Sequence, residues 1–381
     1  MIKSKSKIEK LIIELCPNGV EFKELGELVN ILDSQRRPVT RERREIGEVP
    51  YYGANGIQSY VKDHIFDGTF LLMGEDGSVI NKDGSPVLNW VSGKIWVNNH
   101  AHILSEIKDK ALLRFIYFCL QKTDVTKLVR GTPPKLNQQS LRSIKIPIPP
   151  LAIQEEIVKI LNNFTELEAE LEAELEARKK QYEYYREELL TFGDDVEWKI
   201  LGKVCLSISA GGDLPKNFSK GQSSPSKEFP YPIFANATDM NGLYGYTGDY
   251  KIDSDAVTIS ARGAKIGYHT TREAKFTPII RLISLIPNKD IISTKYLNYI
   301  LDLTPIAGTK GGIPQLTVPT VKKIKIPVPP ITEQERIVKI LDKFDALVND
   351  ISIGLPAELS ARRQQYEYYR EKLLDFSLKK A

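Results

Sequence analysis

The chain has 381 residues, enough for two or three domains that each bury an ordinary core. With 41% hydrophobic and 27% charged residues it has globular composition, no apolar run reaches the roughly 18 residues of a membrane span, and the opening MIKSKSKIEK lacks the apolar core of a secretion signal. The three cysteines, Cys16, Cys119 and Cys205, are scattered and unpaired by any CxxC spacing, which points to reduced thiols in a cytoplasmic protein and against a disulfide frame.

A net charge of +4 says little, but its placement says more. Lys and Arg outnumber Asp and Glu in residues 17–150 and 192–330, whereas residues 151–191 are acidic. A polyanion is attracted to the two basic blocks and repelled by the segment between them.

In chain order, residues 7–15 predict a short leader helix. QRRPVTRERR (35–44) concentrates five arginines. EVPYYGANGIQSY (48–60) reads as strands and turns, with Tyr, Val and Ile runs cut by Gly, Asn and Pro. LLRFIYFCLQ (112–121) reads as a buried helix, and RGTPPKLN (130–137) as a basic loop. KIPIPP (145–150) closes the first block as an extended exit whose prolines cannot prolong a ladder. A long helix follows, with apolar positions at 153, 157, 160, 164, 167, 171, 175, 182, 185 and 189. Those steps make a heptad seam with one stutter at ELEAELEAELEA (166–177). Leu167, Leu171 and Leu175 of that phrase drift by about 40° per step, because four residues overshoot a 3.6-residue turn.

The same text then recurs. SIKIPIPPLAIQEEIVKIL (143–161) returns as KIKIPVPPITEQERIVKIL (323–341), and RKKQYEYYREELL (178–190) as RRQQYEYYREKLL (362–374). CPNGVEFKELGELV (16–29) matches DDVEWKILGKVC (194–205), LLRFIYFCLQ matches STKYLNYILD (293–302), and YGYTGDYKIDSDAVTISARG (244–263) is a second strand-and-turn region. The repeat is circularly phased: where the C-terminus stops, the N-terminus resumes, and the leader helix matches the end of the central one. The segments are therefore 1–150, 151–191, 192–330 and 331–381. The fold expected is α+β: two tandem α/β domains joined by long helices that pair as an antiparallel coiled coil. On the second helix Thr332 is the expected N-cap with Glu335 at N3, and Gly354 and Pro356 should kink it. Ile157, Phe164, Leu171, Tyr182, Tyr185, Ile337, Phe344, Ile351, Tyr366 and Tyr369 mark the seam, with Ile351, Leu355 and Leu359 facing the repeated phrase.

KIPxPPxxEQxxIVxxL, the QYEYYRxxLL helix end, PNGVEFKxLGEL and PYYGANG together resemble the specificity subunit of type I restriction-modification systems, over essentially the whole chain and both repeats. The resemblance implies two target-recognition domains, each reading one half of a split sequence in double-stranded DNA. It implies helices that set the spacing and dock two methyltransferase subunits, with restriction/translocase subunits completing the enzyme. S-adenosylmethionine, ATP and Mg²⁺ would then serve the partner subunits, with none bound by this chain.

Catalytic signals are scarce. GEDGS (74–78) with Asp83 offers carboxylates for Mg²⁺, but its counterpart ARGAK (261–265) has no acid, so a turn is the better reading. His100 and His102 lack a third ligand and read as strand residues. There is no GxGxxG, Walker A, HExxH or NPPY-type motif, which argues against the rival reading of a stand-alone nuclease or methyltransferase. The basic loops argue against a further rival, a coiled-coil adaptor that binds no DNA. For DNA contact the candidates are Gln35, Arg36, Arg37, Tyr52, Asn55, Asn98, Asn99 and Lys135 in the first domain. In the second they are Asn236, Arg262, Lys265 and Lys310. Lys135 and Lys310 lie in Gly/Pro loops at matching places and suit phosphate, whereas base readers should fall where the repeats differ.

Overall fold

A computed structural model describes residues 6–193, 195–236, 239–263, 265–306 and 315–379. The chain divides into two compact units, Met1–Glu172 with Leu359–Ala381, and Ala173–Glu358. Each unit joins the globular part of one copy to helical pieces from both copies. The division falls inside ELEAELEAELEA, between Glu172 and Ala173 of a continuous helix, Leu151–Leu190.

In the first unit a six-stranded sheet runs Val29–Ile31, Ala101–Glu106, Phe66–Gly74, Leu88–Val97, Ile46–Gly53 and Gly56–Val61 in spatial order. All neighbours are antiparallel except Ile46–Gly53 against Leu88–Val97. The helix Leu113–Lys122, expected from LLRFIYFCLQ, buries Phe115, Ile116, Phe118 and Leu120 against Leu71, Met73 and Leu104 of the sheet. In the second unit two four-stranded sheets replace the single one. One is Cys205–Ala210, Ile283–Pro287, Ala256–Ile259 and His269–Arg272; the other is Phe218–Lys220, Leu243–Thr247, Tyr231–Phe234 and Thr277–Pro278. The counterpart helix Thr294–Asp302 packs Tyr296, Leu297 and Ile300 on Val257, Ile259 and Leu285.

The KIPxPP exits are not bare extended segments. Lys145–Ile148 pairs with Glu21–Glu24, and Lys325–Pro327 pairs with Trp198–Ile200, with Pro147 opposite Phe22 and Pro327 opposite Trp198. Proline is compatible with such a ribbon because each strand has a free outer edge, where a missing N–H breaks no ladder. After each exit the helix starts without a side-chain cap on its first residue. Thr332 lies inside Ile331–Asn349, which corrects its expected role as N-cap; Pro330 holds that position. The buried glutamine of each repeat organises the junction instead. Gln154 accepts from Leu112 N (3.0 Å) and donates to Pro149 O (2.8 Å). Gln334 accepts from Ser293 N (2.9 Å) and donates to Pro329 O (2.8 Å) and Ile291 O (2.9 Å).

The helical pieces exchange partners between the copies. In the first unit Phe164 packs on Tyr366 and Tyr369, with ring centroids 6.5 and 5.3 Å apart, and Arg363 binds Glu168 (2.6 Å) and Glu172. Partner numbers fall on one helix as they rise on the other, the antiparallel sense expected. In the second unit the equivalent Phe344 stacks on Tyr182 and Tyr185 at 6.1 and 5.4 Å. Burial pushes the phenols of both Tyr182 and Tyr366 up to about 12. Ile157 and Ile337 are fully buried, whereas Leu171 is only half-buried and Leu167 is 44% exposed.

Ile351 does not belong to the seam. It is 84% exposed on a turn that breaks the distal helix into Ile331–Asn349 and Leu355–Leu373. Asp350 Oδ1 accepts from Ser352 N (2.7 Å) and Ile353 N (3.3 Å), a local turn that competes with the helix, and Gly354 and Pro356 follow. The expected kink is therefore a full break.

Candidate nucleic-acid interface

The sheet edges of the two units carry the same loops at the same places. In the first, Leu136 N donates to Glu75 O, Asn98 N to Tyr52 O, and Met73 faces His102. In the second, Leu316 N donates to Ala261 O, Ile279 N to Phe234 O, and Ile259 faces Ile283. This register equates Glu75 with Ala261, Asp76 with Arg262, His100 with Arg281 and Lys135 with Gln315. The frame is shared, and the side chains it presents differ in charge.

In the first unit much of the expected contact set is spent internally. Arg36 is corrected from a DNA contact to a structural group. Its guanidinium pairs with Glu75, donates to Ala101 O at 2.9 Å and lies 3.7 Å from Asp33. Asn98 is 3% exposed and also structural: Nδ2 donates to Gln58 Oε1 (3.3 Å) and Oδ1 accepts from His100 N (2.8 Å). Tyr52 is half-buried against the sheet core, and burial together with the nearby Tyr60 raises its phenol. Gln35, Arg37, Asn55 and Asn99 are exposed, Asn55 in the turn between Ile46–Gly53 and Gly56–Val61 and Asn99 in the turn before Ala101–Glu106. Lys135 is half-exposed and 3.3 Å from Glu75 Oε1.

His102 sits at the centre of this network. It is fully buried, with Nδ1 2.6 Å from Asp33 Oδ2 and Nε2 2.8 Å from the Leu136 carbonyl. Asp33, Glu75 and His102 are the one His/Cys/Asp/Glu group among the described residues close enough to hold an ion. Their ligand atoms are engaged by Arg36, Lys135, Gln138 and the Leu136 carbonyl. Asp83 is apart from this group, accepting from Ser85 Oγ (2.7 Å) and Ser85 N (3.0 Å).

In the second unit Arg262 and Lys265 are exposed, and Lys310 lies outside the described residues. Asn236 is corrected to a positioning residue: its amide accepts from Ala261 N (3.0 Å) and donates to Ile280 O. Sequence reasoning missed Arg281. TPIIRLI (277–283) looks like an unbroken strand, and only the register against NNHAHI (98–103) would have placed an arginine at a loop tip.

A family model for the type I restriction modification DNA specificity domain matches residues 17–177 and again 195–361. The chain belongs to that family. It is a specificity subunit with two DNA-recognition domains. It is 37% identical over 391 aligned positions to a Haemophilus influenzae chain named as a type I restriction enzyme specificity subunit, covering 97% of this chain and 98% of that one. The Escherichia coli EcoR124I/EcoR124II specificity subunit is 36% identical over 293 positions, 70% of this chain and 72% of that one. The crystal structure of a type I S subunit from M. genitalium shares the fold, with a TM-score of 0.63 at 16% identity over 94% of this chain and 97% of that one. Among the described residues, no helix is long and apolar enough to cross a membrane.

Proposed function

We propose that the chain is the non-catalytic, DNA-reading member of a cytoplasmic multisubunit enzyme that methylates adenine and cuts DNA. Residues 1–150 read one half of a bipartite duplex target and residues 192–330 read the other. The helical segments 151–191 and 331–381 set the spacing and dock two methyltransferase subunits, and restriction/translocase subunits join them. S-adenosylmethionine, ATP and Mg²⁺ are used by those partners. One observation carries this reading. Two loop frames with matching backbone hydrogen bonds present Glu75, Asp76, His100 and Lys135 in one unit and Ala261, Arg262, Arg281 and Gln315 in the other. A shared frame with different tips is what two readers of different sequences require.

Methylome sequencing tests it. Cells carrying the chain with its modification subunit should show one split adenine-methylated motif, absent without the chain. Exchanging residues 17–150 for a relative's block should change one half only. Deleting residues 170–173 removes about 6 Å of helix. With about 3.4 Å per base pair, the unread gap should shorten by one or two base pairs. A motif in which both halves changed after the block exchange would defeat the two-reader proposal. Methyl transfer by the purified chain alone would defeat the non-catalytic one.

A further inference from the structure

We infer that Arg262 and Arg281 form a paired reading head that recognises guanine in the half-site of the second unit. This rests on the DNA-reading function proposed above and assigns it to particular side chains.

Each unit ties its two tip loops together in its own way. In the first unit Glu75 N donates to His100 O at 2.8 Å, and the Asp76 and His100 side chains pair directly. Both side chains at the matched positions are therefore spent on each other. In the second unit the tie has moved to a neighbour. The amide of Asn236 holds Ala261 N and Ile280 O at once, the residues immediately before Arg262 and Arg281. One asparagine thus brings the two arginine-bearing peptides side by side without engaging either guanidinium. Both arginines are exposed, and neither has an ion pair or side-chain hydrogen bond among the described residues.

The backbone beneath Arg281 is held in an uncommon shape. Ile280 and Arg281 are successive left-handed residues, φ +49° and +59°, and a β-branched isoleucine resists that region strongly. Ile280 N donates to Gly212 O (3.0 Å) and Arg281 N to Gly211 O (3.2 Å). A Cβ on Gly211 would stand 2.7 Å from the Pro278 carbonyl carbon, so only glycine permits this approach. The matching residues Asn99 and His100 have no such conformation. Strain fixed by glycine and asparagine aims Arg281 outward and exposes Ile280, 58% accessible, beside it. Two exposed guanidiniums without a partner among the described residues match the O6 and N7 acceptors of guanine in the major groove, the commonest base contact of arginine.

The test uses the full-length chain with its modification subunits and a pool of randomised DNA duplexes, sequencing what is bound. Arg281→Ala and Arg262→Ala should each relax discrimination at a guanine position of one half-site by about 5- to 150-fold, leaving the other half unchanged. Arg281→Lys keeps the charge but loses the fork, so it should relax the same position while the salt dependence of binding stays as in the unaltered chain. Weakening that is uniform across sequences, and restored by lysine, would make Arg281 a phosphate contact and overturn the inference. An unchanged motif in all three variants would overturn it as well. If the unaltered complex selects no sequence at all, the DNA-reading function falls together with the inference.

Discussion

Around the buried Asp33 carboxylate converge His102 Nδ1 at 2.6 Å, Ile103 N at 3.0 Å and Gln138 Nε2 at 3.1 Å, with Arg36 at 3.7 Å. Burial raises this carboxyl, but the hydrogen bond and charge of His102, the Ile103 N–H and Arg36 outweigh it and hold the group below its ordinary value. A depressed carboxyl contributes stability that is complete above its unfolded value, about 3.9. That contribution is lost as pH falls through the lower folded value. Asp33→Asn should therefore destabilise the first unit by about 3 kcal/mol at neutral pH, because it removes the carboxylate on which His102, Ile103 N, Gln138 and Arg36 converge. It should also flatten the acid limb of a stability titration followed by Trp90 and Trp96 fluorescence. An acid limb identical to that of the unaltered chain would assign the effect elsewhere. Arg36→Ala should act on the same titration, because Arg36 serves the same network.

Among the elements, the junction between exit strand and helix is the device both copies keep. Gln154 and Gln334 are 1% and 0% exposed, and each bonds the start of its own helix to the N-terminus of the packing helix beside it. Gln154→Ala strands Leu112 N and Pro149 O without partners, so it should cost about 2–3 kcal/mol in urea unfolding of the first unit. A loss below about 0.5 kcal/mol, the scale of an ordinary surface substitution, would remove the clamp from the account. The recurrence of this glutamine was visible in the sequence; its partners were not, since they lie 5 and 42 residues away in chain order. The long helices, the packing helices and the duplication were legible for a physical reason, because helix periodicity and internal likeness are local signals. Ile351 was misplaced because the seam spacing continues across Asp350, whose side chain closes a turn instead. The tip residues were the least legible. Arg36 looks like its neighbour Arg37 until Glu75 folds against it, and the shape of Ile280 and Arg281 is imposed by Gly211, Gly212 and Asn236 from other parts of the chain.

For the molecule, the decisive fact is that the first unit is discontinuous and encloses the second in sequence. Its two ends are stitched together: Val20 N donates to Ser377 O and Lys379 N to Val20 O, both at 2.9 Å. Gly19, at φ +92°, lies so close that a Cβ would stand 2.6 Å from Ser377 O. Tyr366, Leu373 and Leu374 complete a core that otherwise belongs to residues 8–161. Order of synthesis is therefore not order of completion. The part that leaves the ribosome first must wait, with Gln121 and Lys122 short of their partners Tyr366 and Glu371, until residues 359–379 have emerged. The second unit, made of consecutive residues, can close before it. A chain released after Glu358 should keep protease-resistant residues 173–358 while residues 1–172 are digested and prone to aggregate, which limited proteolysis of the released chain would show. Protection of both parts would mean that the first unit stands without its distal helix. Of the two readers, the one translated earlier is the one that loss of residues 359–379 disables.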